Sequence, residues 1–430
     1  MMDNRFEINE VAEGIRLCTY NTDRFKTGRL SFNIAVPLLK DASRNAILPY
    51  ILNRSCKEYK TYRELNKKLA GLYGATLTPS VTKNGESHVL RLSMTMIDNK
   101  FAFDNEDIIL ACAELLFGLV FYPNADENGF DEAEVTREKR LMIERIQGEM
   151  NDKRVYALRR LERIMCENEA FSSNVYGTEE GINALTPTSI YEAYRNVLET
   201  GHILVNAVGN VDAGKIAGLL KKYIAESGVV RRAPATLRTE VVPTAGELKR
   251  VTEELPVNQG KLVMGFRTGV AADTVEEEYP KLKIMTDIFG GGTYSRLFMN
   301  VREKMSLCYY CSARFYRQKG IIVVQSGIED ENAETAEKEI LSQLESIKNG
   351  EVGKEDISAS LLSMKDMLRS ACDTPEDIDS WSASQITESR FEAPEEIEKR
   401  LMNVTESDVV EAAKRVTLDT VYLLKGTEEK

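Results

Sequence analysis

The stretch GGGTYSRLFMNVREKMSLCY, residues 290–309, carries the strongest fold signal in this chain. Three consecutive glycines predict the end of one helix and a flexible turn into the next helix, which covers residues 295–304. Arg302 on that helix and Tyr309 at the start of the following strand are seven residues apart. A guanidinium and a phenol so spaced can share one surface and donate hydrogen bonds to a peptide carbonyl or a developing oxyanion. The spacing is also compatible with a solvated Arg302 and a core Tyr309 that do not act together, and from the spacing alone this is the simpler interpretation.

Two motifs in this region resemble ligand sites. Gly290-Gly291-Gly292-Thr293 could cradle a phosphate, but a P-loop also needs Gly-Lys-Ser/Thr after its glycines, and here Tyr294 follows. Cys308 and Cys311 have the C-x-x-C spacing of zinc knuckles and redox pairs, without a second such pair. Because residues i and i+3 of a strand point to opposite faces, we expect these thiols on opposite faces, unable to share one metal.

Only two histidines are present, His88 and His202. This scarcity excludes any site that requires three imidazoles. Each histidine lies at the start of a predicted strand and lacks a helical i, i+4 partner or a nucleophile motif such as G-x-S-x-G. We therefore predict that both are structural.

The composition is that of an ordinary acidic globular protein. The 430 residues include 56 Lys and Arg against 68 Asp and Glu, for a net charge of −12. This balance argues against a protein that coats nucleic acid or binds anionic membranes, since both need clustered cations. The longest apolar stretch, residues 109–121, contains Glu114 and is too short for a bilayer, so we predict a buried helix. Seven scattered cysteines and a polar N-terminus favour reduced thiols in the cytoplasm.

The order of predicted elements repeats after about half of the chain. Alternating apolar residues from Leu30 to Val36 predict a half-buried strand. The segment Thr27-Gly28-Arg29-Leu30, which leads into this strand, has a counterpart in Gln259-Gly260-Lys261-Leu262. The predicted strand near Val89 corresponds to residues 321–324, and the charged helix at 135–146 corresponds to residues 358–368. A constant offset predicts two copies of one α+β unit. We place the domains at residues 1–232 and 244–430, with a linker at 233–243.

The stretch at 290–309 closely resembles a signature of the pitrilysin/insulinase metallopeptidases, which include the mitochondrial processing peptidases. Tyr176-Gly177-Thr178 and the turn Val208-Gly209-Asn210-Val211-Asp212 are similar to further family segments, so the resemblance covers nearly the whole chain. It implies an α+β fold of two homologous domains. Each would be an antiparallel-rich sheet backed by helices, and together they would form half of a clamshell.

The sequence departs from this family at the metal site. Active members bind zinc through an inverted His-x-x-Glu-His, in which the glutamate is the general base. Aligning that motif places Ile47 and Ile51 at the histidines, Tyr50 at the general base and Arg145 at the third ligand. A shift of one residue would offer Glu144 instead of Arg145, but it would not restore the histidines. Isoleucine has no lone pair and arginine repels a dication, so we predict no zinc, no other cofactor and no catalytic residue.

The same resemblance implies a role for Arg302 and Tyr309. Active members carry an Arg/Tyr pair with this spacing that contacts substrate, and some bacterial members divide zinc and Arg/Tyr between two chains. The pattern here is similar to the zinc-less kind, especially to the bacterial YmfF-like proteins considered inactive. It implies a non-catalytic subunit that binds a peptide substrate and forms a heterodimer with a zinc-bearing homologue.

The segment that matches the family's substrate-binding edge strand is also altered. Pro79 removes a backbone donor from it, and Thr78 replaces an asparagine, so we expect weaker β-augmentation by a peptide. Two alternatives remain open. The chain could be an inactive homologue kept for assembly, or an autonomous peptidase with a non-standard metal site.

Overall fold

The computed structural model describes residues 4–104, 106–271 and 277–427. The strands are β1 (Phe6–Ala12), β2 (Ile15–Asn21), β3 (Thr27–Pro37), β4 (Thr76–Asn84), β5 (Ser87–Ile97), β6 (Ala125–Asp126), β7 (Gly129–Phe130), β8 (His202–Gly209), β9 (Lys249–Leu255), β10 (Gly260–Arg267), β11 (Cys308–Tyr316), β12 (Ile321–Ile328) and β13 (Thr417–Gly426).

The helices are α1 (Ser43–Ala46), α2 (Leu48–Leu52), α3 (Tyr62–Gly71), α4 (Ile108–Phe121), α5 (Glu132–Gly148), α6 (Lys153–Met165), α7 (Glu179–Asn183), α8 (Pro187–Thr200), α9 (Ala213–Glu226), α10 (Glu278–Gly290), α11 (Ala333–Lys348), α12 (Lys354–Ser370), α13 (Pro375–Ala383), α14 (Pro394–Leu401) and α15 (Glu406–Arg415). A π-helix, Leu297–Lys304, lies between α10 and β11. As predicted from its apolar run, α4 is a buried helix.

The chain forms two compact units. Unit 1 contains the described residues up to Ile146, together with Ser173–Arg238 and Ser370–Phe391. Its six-stranded sheet has the order β1-β2-β8-β3-β5-β4, with β2 and β8 parallel and every other pair antiparallel. A large apolar core forms where one face of this sheet packs against helices that include α4, α8 and α9.

Unit 2 contains Gln147–Ser172, Thr239–Arg369 and the described residues from Glu392 onward. Its five-stranded sheet has the order β11-β12-β10-β13-β9, with β13 and β9 parallel and the rest antiparallel. The helix α6 packs on β10 and β13, while α10 packs against β11 on the edge.

The two sheets share one topology. Starting from the parallel pair, β2-β8-β3-β5-β4 corresponds to β9-β13-β10-β12-β11, and each successive ladder has the same direction in both units. The predicted α+β architecture with a repeated unit is therefore confirmed. The repeat in the sequence matched β3 to β10 and β5 to β12, and the strands of each match occupy equivalent places in the two sheets.

Each unit also includes a segment from the opposite half of the chain. Unit 1 contains Ser370–Phe391, whose helix α13 packs on β3 and β8, and unit 2 contains Gln147–Ser172 with α6. The compact units therefore differ in these two segments from the consecutive domains predicted at 1–232 and 244–430. Those bounds describe homologous halves of the sequence, not compact units, and they stay a prediction. A hydrophobic pattern reports that a helix has an apolar face, but not which sheet covers it.

The packing of α13 corrects the prediction that β3 is half-buried. Its apolar residues from Leu30 to Val36 face the core as expected, but Ser31 and Asn33 on the other face are also fully buried. They lie beneath Asp379 of α13, whose Oδ1 accepts hydrogen bonds from Ser31 at 2.5 Å and from Asn206 of β8 at 2.8 Å. A polar strand face can be buried when a second layer satisfies its hydrogen bonds.

No helix among the described residues is both long and apolar enough to cross a membrane.

Candidate functional site

The segment aligned with the zinc-binding motif forms one buried helical turn in unit 1. Ile51 N–H donates to the carbonyl of Ile47 at 3.0 Å, so the i, i+4 relation that would pair two histidine ligands is present. Both isoleucine side chains are buried in the core, with Ile47 completely inaccessible to solvent. The backbone arrangement of a ligand pair therefore persists, but its side chains contribute hydrocarbon to the core.

The residues aligned with the general base and the third zinc ligand, Tyr50 and Arg145, pack against each other. The guanidinium of Arg145 lies over the ring of Tyr50, 4.1 Å from the ring centroid. Burial, together with the neighbouring Tyr176, raises the pKa of Tyr50 to about 12, so its phenol stays protonated near neutral pH. A protonated phenol beneath a cation cannot act as a general base at neutral pH.

One carboxylate does lie close to this site. Glu138 on α5 is buried, and burial raises its pKa although Arg54 lies 3.7 Å away and Arg145 adds a second positive charge. Glu144, the alternative ligand, instead pairs with Arg140 on the exposed side of α5.

These residues do not fit a zinc ion. Two aliphatic side chains and a guanidinium supply no electron pairs, and one nearby carboxylate cannot replace three ligands. Throughout the described ranges 4–104, 106–271 and 277–427, no group of three or more His, Cys, Asp or Glu side chains is arranged to hold a metal.

Arg302 and Tyr309 lie on the exposed side of unit 2. Arg302 is on the π-helix, where it forms an ion pair with Glu303 at 3.5 Å and stacks over Phe298 at 4.6 Å. Tyr309 is on the edge strand β11, 61% exposed, and donates a hydrogen bond to Glu329 at 2.7 Å. That hydrogen bond raises the pKa of Tyr309. The alternative of a core tyrosine is therefore wrong, because an edge strand exposes this side chain.

The structure brings Arg302 and Tyr309 to one neighbourhood, although each pairs with a different carboxylate. The positive charge of Arg302 contributes to lowering the pKa of Cys308, the residue next to Tyr309. The winding of the π-helix supports this placement, since Met305 N–H reaches the carbonyl of Asn300, five residues back, at 3.0 Å. Such windings are rare and often occur at functional sites.

The prediction that Cys308 and Cys311 point to opposite faces is wrong. A β-bulge interrupts the pairing of β11 with β12: Cys308 is opposite Ile328, whereas Tyr310 is opposite Gly327. Tyr309 is the extra residue. Because the bulge adds one residue to the alternation, Cys308 and Cys311 lie on the same face and interact through their thiols.

The glycine-rich segment ends a helix, as predicted. Gly291 N–H caps α10 by donating to the Asp287 carbonyl at 2.7 Å, and Gly292 accepts from Ser295 in the turn that follows. The Asp287 carboxylate fills this turn and accepts hydrogen bonds from Tyr294 at 2.5 Å and Ser360 at 2.6 Å. A phosphate would meet a carboxylate here, so the segment does not suit an anion.

Both histidines occupy structural positions. His88 is 1% exposed in β5, and burial lowers its pKa to about 4. His202 begins β8, with its Nε2 2.9 Å from the carbonyl oxygen of Ala235.

The segment aligned with the substrate-binding strand is indeed an edge of a sheet. β4 is the last strand of the unit 1 sheet, with Pro79 opposite Leu92 and Thr78 opposite Ser93 on β5. β4 of unit 1 and β11 of unit 2 are equivalent edge strands, but only β4 carries a proline. Proline on an edge discourages the addition of another strand.

Sequence comparisons agree with these observations. The chain is 31% identical over 424 residues to the "Probable inactive metalloprotease YmfF" of Bacillus subtilis, covering 98% of each chain. A family model described as the peptidase M16 inactive domain matches residues 184–363. The chain belongs to the M16 peptidase family.

Two further comparisons extend this result. The chain is 22% identical to the "Uncharacterized zinc protease YmxG" of Bacillus subtilis, over 56% of this chain and 57% of that protein. Its fold matches a crystal structure of a conserved protein from Enterococcus faecalis, with a TM-score of 0.87, 24% identity and complete coverage of both chains. The predicted resemblance to an inactive member of the pitrilysin/insulinase family, here called M16, is confirmed.

The local sequence gave no signal for several contributors to these sites. Tyr176, which acts on Tyr50, comes from a segment more than a hundred residues away, and Glu329 faces Tyr309 from the loop that follows β12. Both acquire their places through strand and helix packing. Only the family resemblance could have singled out Tyr176, as part of its Tyr-Gly-Thr segment.

Proposed function

We propose that this M16 homologue is a non-catalytic subunit that contributes substrate-binding residues to a heteromeric metalloendopeptidase in the cytoplasm. The observation that carries this proposal is the contrast between the two sites. The aligned ligand positions in unit 1 are filled by Ile47, Ile51 and the stacked Tyr50–Arg145 pair, whereas Arg302 and Tyr309 in unit 2 remain solvent-accessible.

An exposed donor on an edge strand, Tyr309, and another on the preceding π-helix, Arg302, suit an extended peptide. Such a peptide can add to β11 through backbone hydrogen bonds, while Arg302 and Tyr309 donate to its carbonyl groups. In this proposal Glu303 and Glu329 hold the two donors ready until substrate competes for them. The zinc and the general base come from a homologous partner chain. In support, Bacillus subtilis contains one relative described as a "Probable inactive metalloprotease" and another described as an "Uncharacterized zinc protease". None of the seven cysteines, all of which lie in the described residues, is in a disulfide, which supports a reducing compartment.

Reconstitution tests the proposal. The purified chain is mixed with a zinc-bearing M16 homologue from the same genome, and cleavage of a peptide library is measured for each chain alone and for the mixture. We expect activity in the mixture, and we expect Arg302→Ala to lower kcat/KM by at least about tenfold, which corresponds to about 1.4 kcal/mol of transition-state binding.

Matched variants separate substrate contact from general effects. Lys304→Ala removes the same charge from the same helix at an exposed position and should leave kcat/KM unchanged. Tyr309→Phe removes only the phenolic hydroxyl and should lower kcat/KM. If the mixed chains associate but Arg302→Ala is as active as the parent, the chain serves assembly alone. Cleavage by this chain unaided, with bound metal, would instead support an autonomous peptidase.

A further inference from the structure

The edge strand β11 carries two thiols on one buried face. Cys308 is opposite Ile328 and Cys311 is opposite Ser326, two residues apart on β12, so both side chains project from the same side of the sheet. Cys308 is 9% and Cys311 5% exposed, and both are free thiols. This arrangement exists only because Tyr309 is inserted as the bulged residue between them.

The surroundings of the two sulfur atoms make them chemically unequal. A hydrogen bond from Cys311, with the charge of Arg302 as a further contribution, lowers the pKa of Cys308 to about 7. The same interaction and burial raise the pKa of Cys311. Near neutral pH, the pair therefore contains a substantial fraction of thiolate at Cys308 beside a protonated thiol at Cys311. A thiolate is the reactive form of cysteine, and a neighbouring thiol is what resolves its oxidised product.

We propose that Cys308 and Cys311 form a peroxide-oxidisable dithiol, with Cys308 as the attacking thiolate and Cys311 as the resolving thiol. In the first step the Cys308 sulfur attacks one oxygen of a hydroperoxide. A sulfur–oxygen bond forms and the oxygen–oxygen bond breaks. The departing oxygen takes up a proton to give water or an alcohol, and the sulfur has lost two electrons to the peroxide.

In the second step the sulfur of Cys311 attacks the sulfenic acid on Cys308. The disulfide bond forms, the sulfur–oxygen bond breaks, and the released hydroxide takes the Cys311 proton to leave as water. In total, two thiols are oxidised by two electrons and one peroxide is reduced.

The position of the pair permits bond formation. A regular strand holds residues i and i+3 about 10 Å apart along its axis, beyond the upper limit of roughly 7 Å between the Cα atoms of a disulfide. The bulge turns both thiols together, and β11 is hydrogen bonded only to β12 in the described sheet, so adjustment need not break a second ladder. The disulfide would enclose Tyr309, linking the redox state of the pair to the position of this exposed side chain.

Peptide mass spectrometry, after oxidation of the whole folded chain, tests the proposal. The reduced protein is treated with hydrogen peroxide at neutral pH, its remaining thiols are alkylated, and trypsin releases residues 305–314, which contain both cysteines. We expect this peptide to lose two hydrogens and to escape alkylation, and dithiothreitol to reverse both changes. The rate of this loss should rise with pH through a midpoint near 7.

Variants assign the two roles. Cys311→Ser should leave a sulfenic acid on Cys308 that dimedone traps, whereas Cys308→Ser should leave Cys311 unreacted. Cys372→Ser, which removes a thiol outside this pair that is less buried, should form the disulfide at the parent rate. Circular dichroism confirms that each variant is folded. Oxidation confined to Cys372, or direct conversion of Cys308 to sulfinic acid without a cross-link in the parent chain, would overturn the proposal.

Discussion

His88 should make unit 1 sensitive to acid. The side chain lies in β5, opposite Val36 of β3 and Lys83 of β4, and only 1% of its surface reaches solvent. Burial disfavours the charged imidazolium and lowers the pKa of His88 from 6.5 to about 4. We therefore expect unit 1 to lose stability when this histidine must accept a proton.

The sign and size of the effect follow from proton linkage. Below pH 6.5 the unfolded chain takes up a proton that the folded chain does not accept until about pH 4. The stability that neutral His88 contributes is therefore intact above this window and is lost as the pH falls through it. A difference of about 2.5 pKa units corresponds to about 3 kcal/mol in full, and to about 2 kcal/mol at pH 5.

Urea unfolding of the parent chain and of His88→Leu measures this contribution. The single tryptophan, Trp381, belongs to the same unit as His88, so its fluorescence reports the relevant transition. Other groups titrate in both proteins and cancel in the difference between their unfolding free energies. That difference should change by about 3 kcal/mol between pH 7 and pH 4 in favour of the variant. His202→Gln provides the matched control, and a difference that stays constant with pH would refute the reasoning.

Three further perturbations probe the packing of unit 1. Asp379→Ala should lower the free energy of unfolding by about 3–5 kcal/mol in urea, because the buried Asp379 carboxylate pairs with two arginines. The matched variant Glu376→Ala should lower it by less than about 1 kcal/mol, because the Glu376 side chain is exposed. Equal losses in the two variants would contradict this assignment. Arg145→Ala should cost about 1–2 kcal/mol by the same measurement, since it removes the cation that stacks on Tyr50, and an unchanged midpoint would show that the stacking adds nothing. Dialysis against EDTA should leave the thermal unfolding midpoint unchanged, because the aligned ligand positions offer no electron pairs; a fall of several degrees would reveal a stabilising metal.

The repeated architecture was predictable because its signals are local and recur. The apolar strand segments that become β3 and β5 have counterparts in β10 and β12 at nearly the same offset. This recurrence predicts that the two sheets share one strand order, whereas the order itself comes from the tertiary structure. The exchange of α6 and α13 between halves was not predictable, since an amphipathic helix does not specify which sheet it covers.

The buried polar network around Asp379 shows the same limit. Asp379 and Ser31 are 348 residues apart, and neither residue type stands out in its own segment. A serine and an asparagine on a strand normally indicate an exposed face. Here the Asp379 carboxylate accepts hydrogen bonds from Ser31, Asn206, Arg29 and Arg91, so one side chain of α13 serves four donors from the sheet that it covers.

The loss of the zinc ligands was decided by the amino-acid sequence itself, because the ability to donate an electron pair belongs to a side chain wherever it lies. No packing can turn Ile47 and Ile51 into ligands. The relation between Cys308 and Cys311 was decided only by the tertiary structure, because the face to which a strand residue points depends on its register with the neighbouring strand. One inserted residue in β11, visible only through its pairing with β12, reverses that face.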